Sequence, residues 1–469
     1  MKISPLSLGV IHFVGIGGIG MSGIAEILHG LGQKVQGSDI AVNPNVQRLK
    51  EKGIPIFIGH KAENIEKANL LVVSSAIIGE NPEIKEAERR GIAIIHRSEM
   101  LAQLARLKFS AIVSGSHGKT TTTSLIASIF DAASLNPTVI NGGIITAYGT
   151  NARLGNGDWM VIESDESDGS FVDLSPTVAV VTNIDPEHLE HYGSFEALKE
   201  AFQNFIEKIP FYGFGVLCID HPVVEEMISK ISNKTLLTYG FSEKAHVRAI
   251  NILREKDKTT FDVEIRFPQE ALVVWKGIQV SLMGDHNIQN VLAALTVARK
   301  LEIPRELIKE AFMSFKGVKR RFTKVSDILG VTIYDDYAHH PVEISATLKA
   351  ALGMTEGRVI SVLQPHRYSR VSRLMEDFAK CLKESSQVYI VPIYSAGESP
   401  IEGIDHTVLS LKMKEYGIPV KSLSGKDELF LELTSFLKEG DIVLFMGAGT
   451  ISQWAYSFPE FHSKFRGGL

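Results

Sequence analysis

The feature that most limits what this chain can become is a loop that occurs twice. Each copy is a run of apolar, β-branched residues, then a cluster of glycines, then an amphipathic stretch. The first is VIHFVGIGGIGMSGIAEIL, beginning at Val10, and the second is FSAIVSGSHGKTTTT, beginning at Phe109. A strand that turns straight into a helix through bare backbone aims unpaired N–H groups and the positive end of the helix dipole at one spot. That spot is a seat for an anion. Two such seats in one chain call for parallel sheets with crossover helices and exclude an all-α or all-β fold.

In the first loop Gly15, Gly17 and Gly20 fit G-x-G-x-x-G, with Gly18 between them. Asp39 closes the next apolar run, KVQGSD, where a dinucleotide fold places its ribose-binding acid. These residues suit any nucleotide diphosphate, so NAD and a UDP-sugar both stay open; the plain alternative is a tight strand–helix turn. In the second loop Gly118, Lys119 and Thr120 form the latter half of G-x-x-x-x-G-K-[ST]. Valine stands where that pattern puts its first glycine, and Gly115 comes two residues late. The context still predicts a nucleoside triphosphate site, because Leu125, Ile126, Ile129 and Phe130 then repeat at helical spacing. Backbone groups of Gly115, Ser116, His117 and Gly118 would cradle phosphate, with Thr121 beside them. Lys119 would bridge the terminal phosphates, and the Thr120 hydroxyl would meet Mg²⁺. The alternative is a Thr-capped helix with an exposed lysine.

Magnesium needs further oxygen ligands. In WMVIESDESDGS, Glu163 ends an apolar run and Asp165, Glu166 and Asp168 follow. In TNIDPEHLEHY, Asn183, Asp185, Glu187 and His188 follow the next one. Both segments would emerge at the carboxyl edge of the sheet that carries the second loop, where α/β proteins bind ligands. The acidic run is also what a solvated loop looks like. The pair His188 and His191 raises zinc as a second choice, with no third soft ligand beside it.

At 469 residues the chain is too long for one core, and the length suggests three domains. A net charge of −5 offers no field for a polyanion, so no nucleic-acid partner is expected. Cys218 and Cys381 are the only cysteines, which rules out a disulfide scaffold and suits a reducing compartment. No apolar run approaches the ~20 residues that span a bilayer, and MKISPLSLGVIHFVG has no leader-like segment. We therefore expect a cytoplasmic protein without membrane insertion. Apolar runs alternating with helical stretches give a Rossmann-like domain over 1–107 and a central P-loop ATPase-like α/β domain over 108–317. The central domain carries a small antiparallel β appendage, since TTFDVEIRF alternates strictly and ALVVWKGIQVSL adds strand material. After the basic stretch KGVKRRF, the runs VTIYDDY, RVISVLQP, QVYIVPIY, VKSL and DIVLFMG make a C-terminal Rossmann-like α/β domain over 318–469.

GIGGIGMSGIA, SSAI followed by NPE, GSHGKTTTT, ESDESD, TNIDPEHLEHY, MGDHNIQN, KRRF, DDYAHHP, QPHRYSR, AGESP and MGAGTI occur in the order found in the Mur ligases. The chain resembles that family over essentially its whole length, and the first loop resembles its alanine-adding branch. The family's shortened loop, T-G-T-x-G-K-T-[ST], accounts for the late Gly115, with Ser116 where threonine is usual. The resemblance implies a ligase of peptidoglycan precursor synthesis. ATP phosphorylates the lactyl carboxylate of UDP-N-acetylmuramate, and the amine of L-alanine attacks the acyl phosphate to give amide, ADP and phosphate. The first loop would hold the UDP-sugar together with His60, Ser74, Ser75 and Ala76. Two magnesium ions are implied, one on Thr120 and Glu163 and one on Glu163 and His188, with Glu166 as the fallback. His286, Asn287 and Asn290 would contact adenine, Asn287 being a helix cap in the plainer reading. Arg321, Asp336 and Tyr337 would meet ATP. Arg320 and His340 lie beside them, one of the two arginines being as well explained by a solvated linker. His366 would handle the amino acid, and Lys119, Glu163, His188, His339, Arg367 and Arg370 would carry the catalysis. Two departures stand out: Gln203 occupies the place of a carbamylated lysine in several relatives, and Thr450 replaces a commoner acidic or amide residue. The rival readings are a later amino-acid-adding ligase of the same family, a tripeptide-recycling ligase, an NAD-dependent oxidoreductase and a nucleotide-gated scaffold.

Overall fold

The computed structural model describes residues 9–467 apart from 75, 76, 78, 79, 168 and 256. Its contacts divide into two compact units. The first holds Met1–Asn251, Phe261–Ile278 and Gln289–Lys316, and the second holds Ile252–Thr260, Gln279–Ile288 and Gly317–Leu469.

The first unit opens with a five-stranded parallel sheet in the spatial order Ile56–Ile58, Lys34–Asp39, Val10–Val14, Leu70–Val73, Ala93–His96. The order reverses between Val10–Val14 and Leu70–Val73, and the first glycine loop leaves the sheet at this switch point, where a crevice opens. The strand interiors are apolar on both faces because helices cover both; Ile11, Phe13, Leu71 and Val72 are all fully buried.

A ten-stranded sheet follows. Its central strands run Phe214–Cys218, Val178–Val181, Phe109–Ser114, Trp159–Glu163, Thr138–Ile145 in spatial order, and all four of these pairings are parallel. The strand of the second glycine loop is thus flanked by the two strands whose ends carry the acidic segments. Leu125, Ile126, Ile129 and Phe130 of the helix Lys119–Ala132 are fully buried, as their spacing predicts. In the strand Thr259–Ile265 buried and partly buried residues alternate without a break, matching the half-exposed strand read from TTFDVEIRF. That region continues the main sheet, since Val247–Arg254 pairs in parallel with Leu236–Gly240.

The two sheets of the first unit share one hydrophobic cluster that contains Ile24 and Ile27 as well as Ile140, Ala152 and Met160. Asn151 donates to the Ile19 carbonyl at 2.8 Å, and a Cβ on Gly23 would meet that of Ala152 at 3.0 Å. The helix behind the first loop is therefore seated directly on the second sheet.

The second unit contains a six-stranded sheet, Thr323–Ile328, Val331–Asp336, Ile442–Met446, Val359–Leu363, Gln387–Ile390, Val420–Ser422. All its pairings are parallel except at the first strand, which is antiparallel.

Candidate active site

The second loop is built so that two positions accept only glycine. Gly115 has φ +134°, and a Cβ there would lie 2.1 Å from Thr182 Oγ1; Gly118 has φ +80°, and its Cβ would lie 2.5 Å from Asn290 Oδ1. Neighbouring strand ends fix the loop between them. Asn183 Oδ1 accepts from the His117 N–H at 2.7 Å, the Thr182 hydroxyl donates to the His117 carbonyl at 2.6 Å, and the Asp185 N–H donates to Ser116 Oγ at 2.8 Å.

Lys119 lies across this cradle. Its Nζ donates to the Gly115 carbonyl at 2.6 Å, the Ser116 carbonyl at 3.1 Å and Glu166 Oε2 at 2.8 Å. Burial works against the lysine's charge, but Glu166 and Asp165 more than offset it and hold the pKa above the ordinary range. Burial pushes the Glu166 carboxyl up to about 7 against the pull of Lys119. Glu166 is 1% exposed, and its Oε1 has no hydrogen-bond partner among the described residues. Three residues earlier, Glu163 takes the Thr120 hydroxyl on Oε1 at 2.9 Å and the Gly142 N–H on Oε2 at 2.6 Å.

Ligand atoms of Asp165, Glu166 and His188 lie within 4.8 Å of one another, with His188 Nε2 4.0 Å from Glu166 Oε1. His191 is turned away onto Gly169, whose Cβ would meet its Nε2 at 2.4 Å. That leaves His188 among carboxylates, a hard, oxygen-rich set that suits magnesium better than zinc. Gln203 bonds Glu207 on its own helix and takes no part. Asp168 lies outside the described residues. A cavity of about 650 Å³ runs beside the helix Arg97–Ala105 and reaches Gly169 and His191, with Glu99, Gln103 and Arg106 in its wall.

The first loop is closed by its own acid: Gly17 N–H donates to Asp39 Oδ2 at 2.8 Å, so that oxygen braces the loop. Ser74 stands beside Gly15, while Ser75 and Ala76 lie outside the described residues. Arg97, which the sequence did not single out, reaches Gly20; a Cβ there would meet its Nη1 at 2.7 Å. A guanidinium beside the first turn of a helix adds a fixed positive charge and planar donors where an anion would be received.

Asn290 is 5% exposed and accepts from the Thr122 hydroxyl at 3.1 Å, so it supports the second loop from beneath. Asn287 donates to the Met283 carbonyl at 2.8 Å and lies 3.0 Å from His286 Nε2. In the second unit Arg320 donates to the carbonyls of Gly447 and Gly449, and both Arg320 and Arg321 lie over the Tyr337 ring. Burial pushes Asp336 up to about 6, while its carboxylate accepts from the N–H groups of Phe322 and Ala338. His340 caps the helix Pro341–Leu352 in a capping box with Glu343. His339 meets His366 edge to face at 5.5 Å, and His366 stacks on Tyr394 at 5.7 Å, with Arg370 Nη1 3.4 Å from His366 Nδ1. Burial, then the charges of His339, Arg370, Arg367 and Arg320, drive the His366 pKa down to about 3. Arg367 carries a left-handed φ of 68°, a strained state for a long side chain. Thr450 accepts from Gln364 at 3.1 Å, a structural use for its hydroxyl.

Three family models match in sequence along the chain: the Mur ligase family catalytic domain over residues 10–109, the Mur ligase middle domain over 113–298, and the Mur ligase glutamate ligase domain over 320–449. The chain belongs to the Mur ligase family. Among Mur ligases it is 51% identical to the UDP-N-acetylmuramate–L-alanine ligase of Allorhizobium ampelinum and 50% identical to that of Maricaulis maris, in each case over 97% of both chains. It is also similar to the crystal structure of UDP-N-acetylmuramate–alanine ligase from Thermotoga maritima, with TM-score 0.80 and 28% identity over 98% of this chain and 100% of that one. As a Mur ligase it is ATP-dependent, and the three-sheet α/β architecture is the family's.

Proposed function

We infer that the chain joins L-alanine to the lactyl carboxylate of UDP-N-acetylmuramate at the expense of ATP. The observation that carries this is a pair of separate anion seats on one unit, each a strand–glycine loop–helix, one with Arg97 beside it and one crossed by Lys119. One seat suits the diphosphate of the nucleotide sugar and the other the triphosphate. Relatives 50–51% identical carry the name of the L-alanine ligase, which selects the acceptor.

A carboxylate is a poor acyl donor because its leaving group would be oxide or hydroxide. Transfer of the γ-phosphoryl group supplies a good one, and the amine of L-alanine then displaces phosphate. The transfer brings two anions together, so cationic groups must line the gap. Lys119 would leave the Gly115 and Ser116 carbonyls for the phosphate oxygens, which replace them as acceptors. The chain's residues fit magnesium. The unpartnered, buried Oε1 of Glu166 together with His188 and Asp165 would hold one ion, and Thr120 with Glu163 another. When bound, magnesium would draw charge from the transferring phosphoryl group. His366, Arg367 and Arg370 would receive the carboxylate end of the amino acid, the lowered pKa keeping His366 neutral beside two guanidiniums. His286 and Asn287 would serve the adenine, with Asn290 supporting the loop beneath. We take segments 1–107, 108–317 and 318–469 as the UDP-sugar, ATP and amino-acid parts. We place the protein in the cytoplasm, where both nucleotides are; no helix among the described residues is long and apolar enough to cross a membrane.

The test is phosphate release with ATP, UDP-N-acetylmuramate and a panel of amino acids. Dependence on L-alanine is expected, with serine and glycine reduced by about 10–200-fold, the discrimination one small group allows. Dependence on D-glutamate or on a tripeptide would overturn it.

A further inference from the structure

The NPE triplet, Asn81–Pro82–Glu83, opens the helix Pro82–Arg90, and none of the chemistry above uses it. Asn81 caps that helix in an ordinary way, accepting from the N–H groups of Glu83 and Ile84. Glu83 is not ordinary. It points inward and is 0% exposed, a rare place for a glutamate unless it is paired. Its Oε2 accepts from the Ser38 hydroxyl at 2.6 Å and His60 Nδ1 at 3.1 Å, and its Oε1 accepts from Asn64 Nδ2 at 2.6 Å. His12 Nε2 lies 3.5 Å from Oε2, and the opposite nitrogen of that ring accepts from Gln36 at 3.1 Å. Burial works against ionisation, yet the nearby His12 ring and the bonds from Ser38 and Asn64 hold the Glu83 carboxyl down at about 2.

An ionised carboxylate can only accept hydrogen bonds. Ser38 Oγ also lies 3.0 Å from His60 Nδ1, but its single proton goes to Glu83 Oε2 at 2.6 Å. A bare Nδ1 3.1 Å from the ionised carboxylate would set two lone pairs against each other, so Nδ1 of His60 carries the proton. Nε2 has no hydrogen-bond partner among the described residues, and the side chain keeps 13% of its surface exposed. The location gives this meaning. The Gly59 N–H donates to the Asp39 carbonyl at 2.8 Å, and Asp39 Oδ2 receives Gly17, so His60 stands at the rim of the first anion seat. A diphosphate offers acceptors alone, whereas a uridine offers ribose hydroxyls and an imide N–H.

We propose that Glu83 is a positioning residue for nucleotide recognition, holding His60 in the tautomer whose Nε2 lone pair accepts a hydrogen bond from the uridine half of the UDP-sugar. The proposal rests on the reading that the first loop seats that sugar nucleotide. In Glu83→Gln the remaining carbonyl oxygen stays on Asn64 Nδ2, which also donates to the Gly59 carbonyl at 3.0 Å and so cannot turn to accept; the new amide donor therefore takes the Oε2 place, and the Nδ1 proton is no longer held.

The experiment measures UDP-N-acetylmuramate binding by calorimetry, together with steady-state kinetics, for wild type, Glu83→Gln, His60→Ala and the double variant. Each single variant should weaken binding about tenfold, roughly the worth of one good hydrogen bond. The loss should fall on KM for the UDP-sugar rather than on kcat, and the double variant should bind no worse than His60→Ala. That coupling is what a merely structural role would not produce. Additive losses, or wild-type affinity in Glu83→Gln, overturn the proposal. Should Glu83→Gln not fold, the wild-type enzyme still decides, since ¹⁵N NMR at pH 8, assigned with His60→Ala, must show a protonated Nδ1 and a bare Nε2. A proton on Nε2 overturns it. A wild-type enzyme that binds ATP but not UDP-N-acetylmuramate refutes the reading of the first loop instead, and the proposal falls with it.

Discussion

His366 makes the most quantitative prediction available from this structure. Its pKa is driven down to about 3, first by burial and then by the positive charges of His339, Arg370, Arg367 and Arg320. In the unfolded chain it returns to about 6.5. Below pH 6.5 the unfolded chain therefore takes up a proton that the folded site refuses until about pH 3. Stability falls through that window at roughly 1.4 kcal/mol per pH unit, and the residue contributes nothing to pH dependence above it. Between pH 7.5 and pH 5 the loss is about 2 kcal/mol, or about 4–8 °C in the melting midpoint of a domain of this size. His366→Asn cannot titrate. It forfeits the stack on Tyr394, about 1 kcal/mol, but forfeits it equally at both pH values. Replacing Trp159 and Trp275 by phenylalanine leaves Trp454, in the second unit, as the fluorescent reporter, so that unit's own transition is read. The variant should lose several degrees less than its parent on going from pH 7.5 to pH 5. Parallel losses would mean that His366 takes up protons as readily folded as unfolded, and that its neutral state beside Arg367 and Arg370 is not real.

Lys119→Met should lower turnover by at least about 10²–10³-fold, the usual cost of removing one donor aimed at developing charge. It should leave calorimetric binding of UDP-N-acetylmuramate within about twofold, and equal loss of both would contradict two separate seats. Glu166→Gln should raise the magnesium concentration for half-maximal rate by about 10–100-fold, and an unchanged requirement would move the ion's chief carboxylate to Glu163. Gly17→Ala would put a Cβ 2.5 Å from Asn43 Nδ2, 2.7 Å from Val46 Cγ2 and 2.8 Å from Asp39 Oδ2. It should cost about 1–3 kcal/mol and weaken UDP-sugar binding selectively, whereas an unshifted melting temperature would show that the loop has room.

The glycine loops, the strands around them and the helix faces were readable because each is local. Gly115 and Gly118 are demanded by backbone angles and by atoms a single Cβ would strike, and such demands leave a mark at their own positions. The acids are another matter. In ESDESD the sequence offered Glu163 at a strand end and Glu166 as a fallback, and nothing local separates two glutamates three residues apart. What separates them is that one takes the Thr120 hydroxyl while the other is buried against Lys119, a difference set by chain segments far away. Asp39 matches the ribose-binding position of a pattern, and the pattern does not say that one of its oxygens also braces Gly17. Arg320, which the sequence places in the basic stretch KGVKRRF, ties down the carbonyls after Ile442–Met446, a use that no local pattern announces. Glu83 shows the limit most sharply. Its partners come from residues 12, 38, 60 and 64, in two strands, a loop and a short 3-10 helix, and none of them is unusual alone. A buried charge is a property of the whole set, so it becomes visible only when the set is assembled; a motif such as NPE can then be read as chemistry rather than as a helix cap.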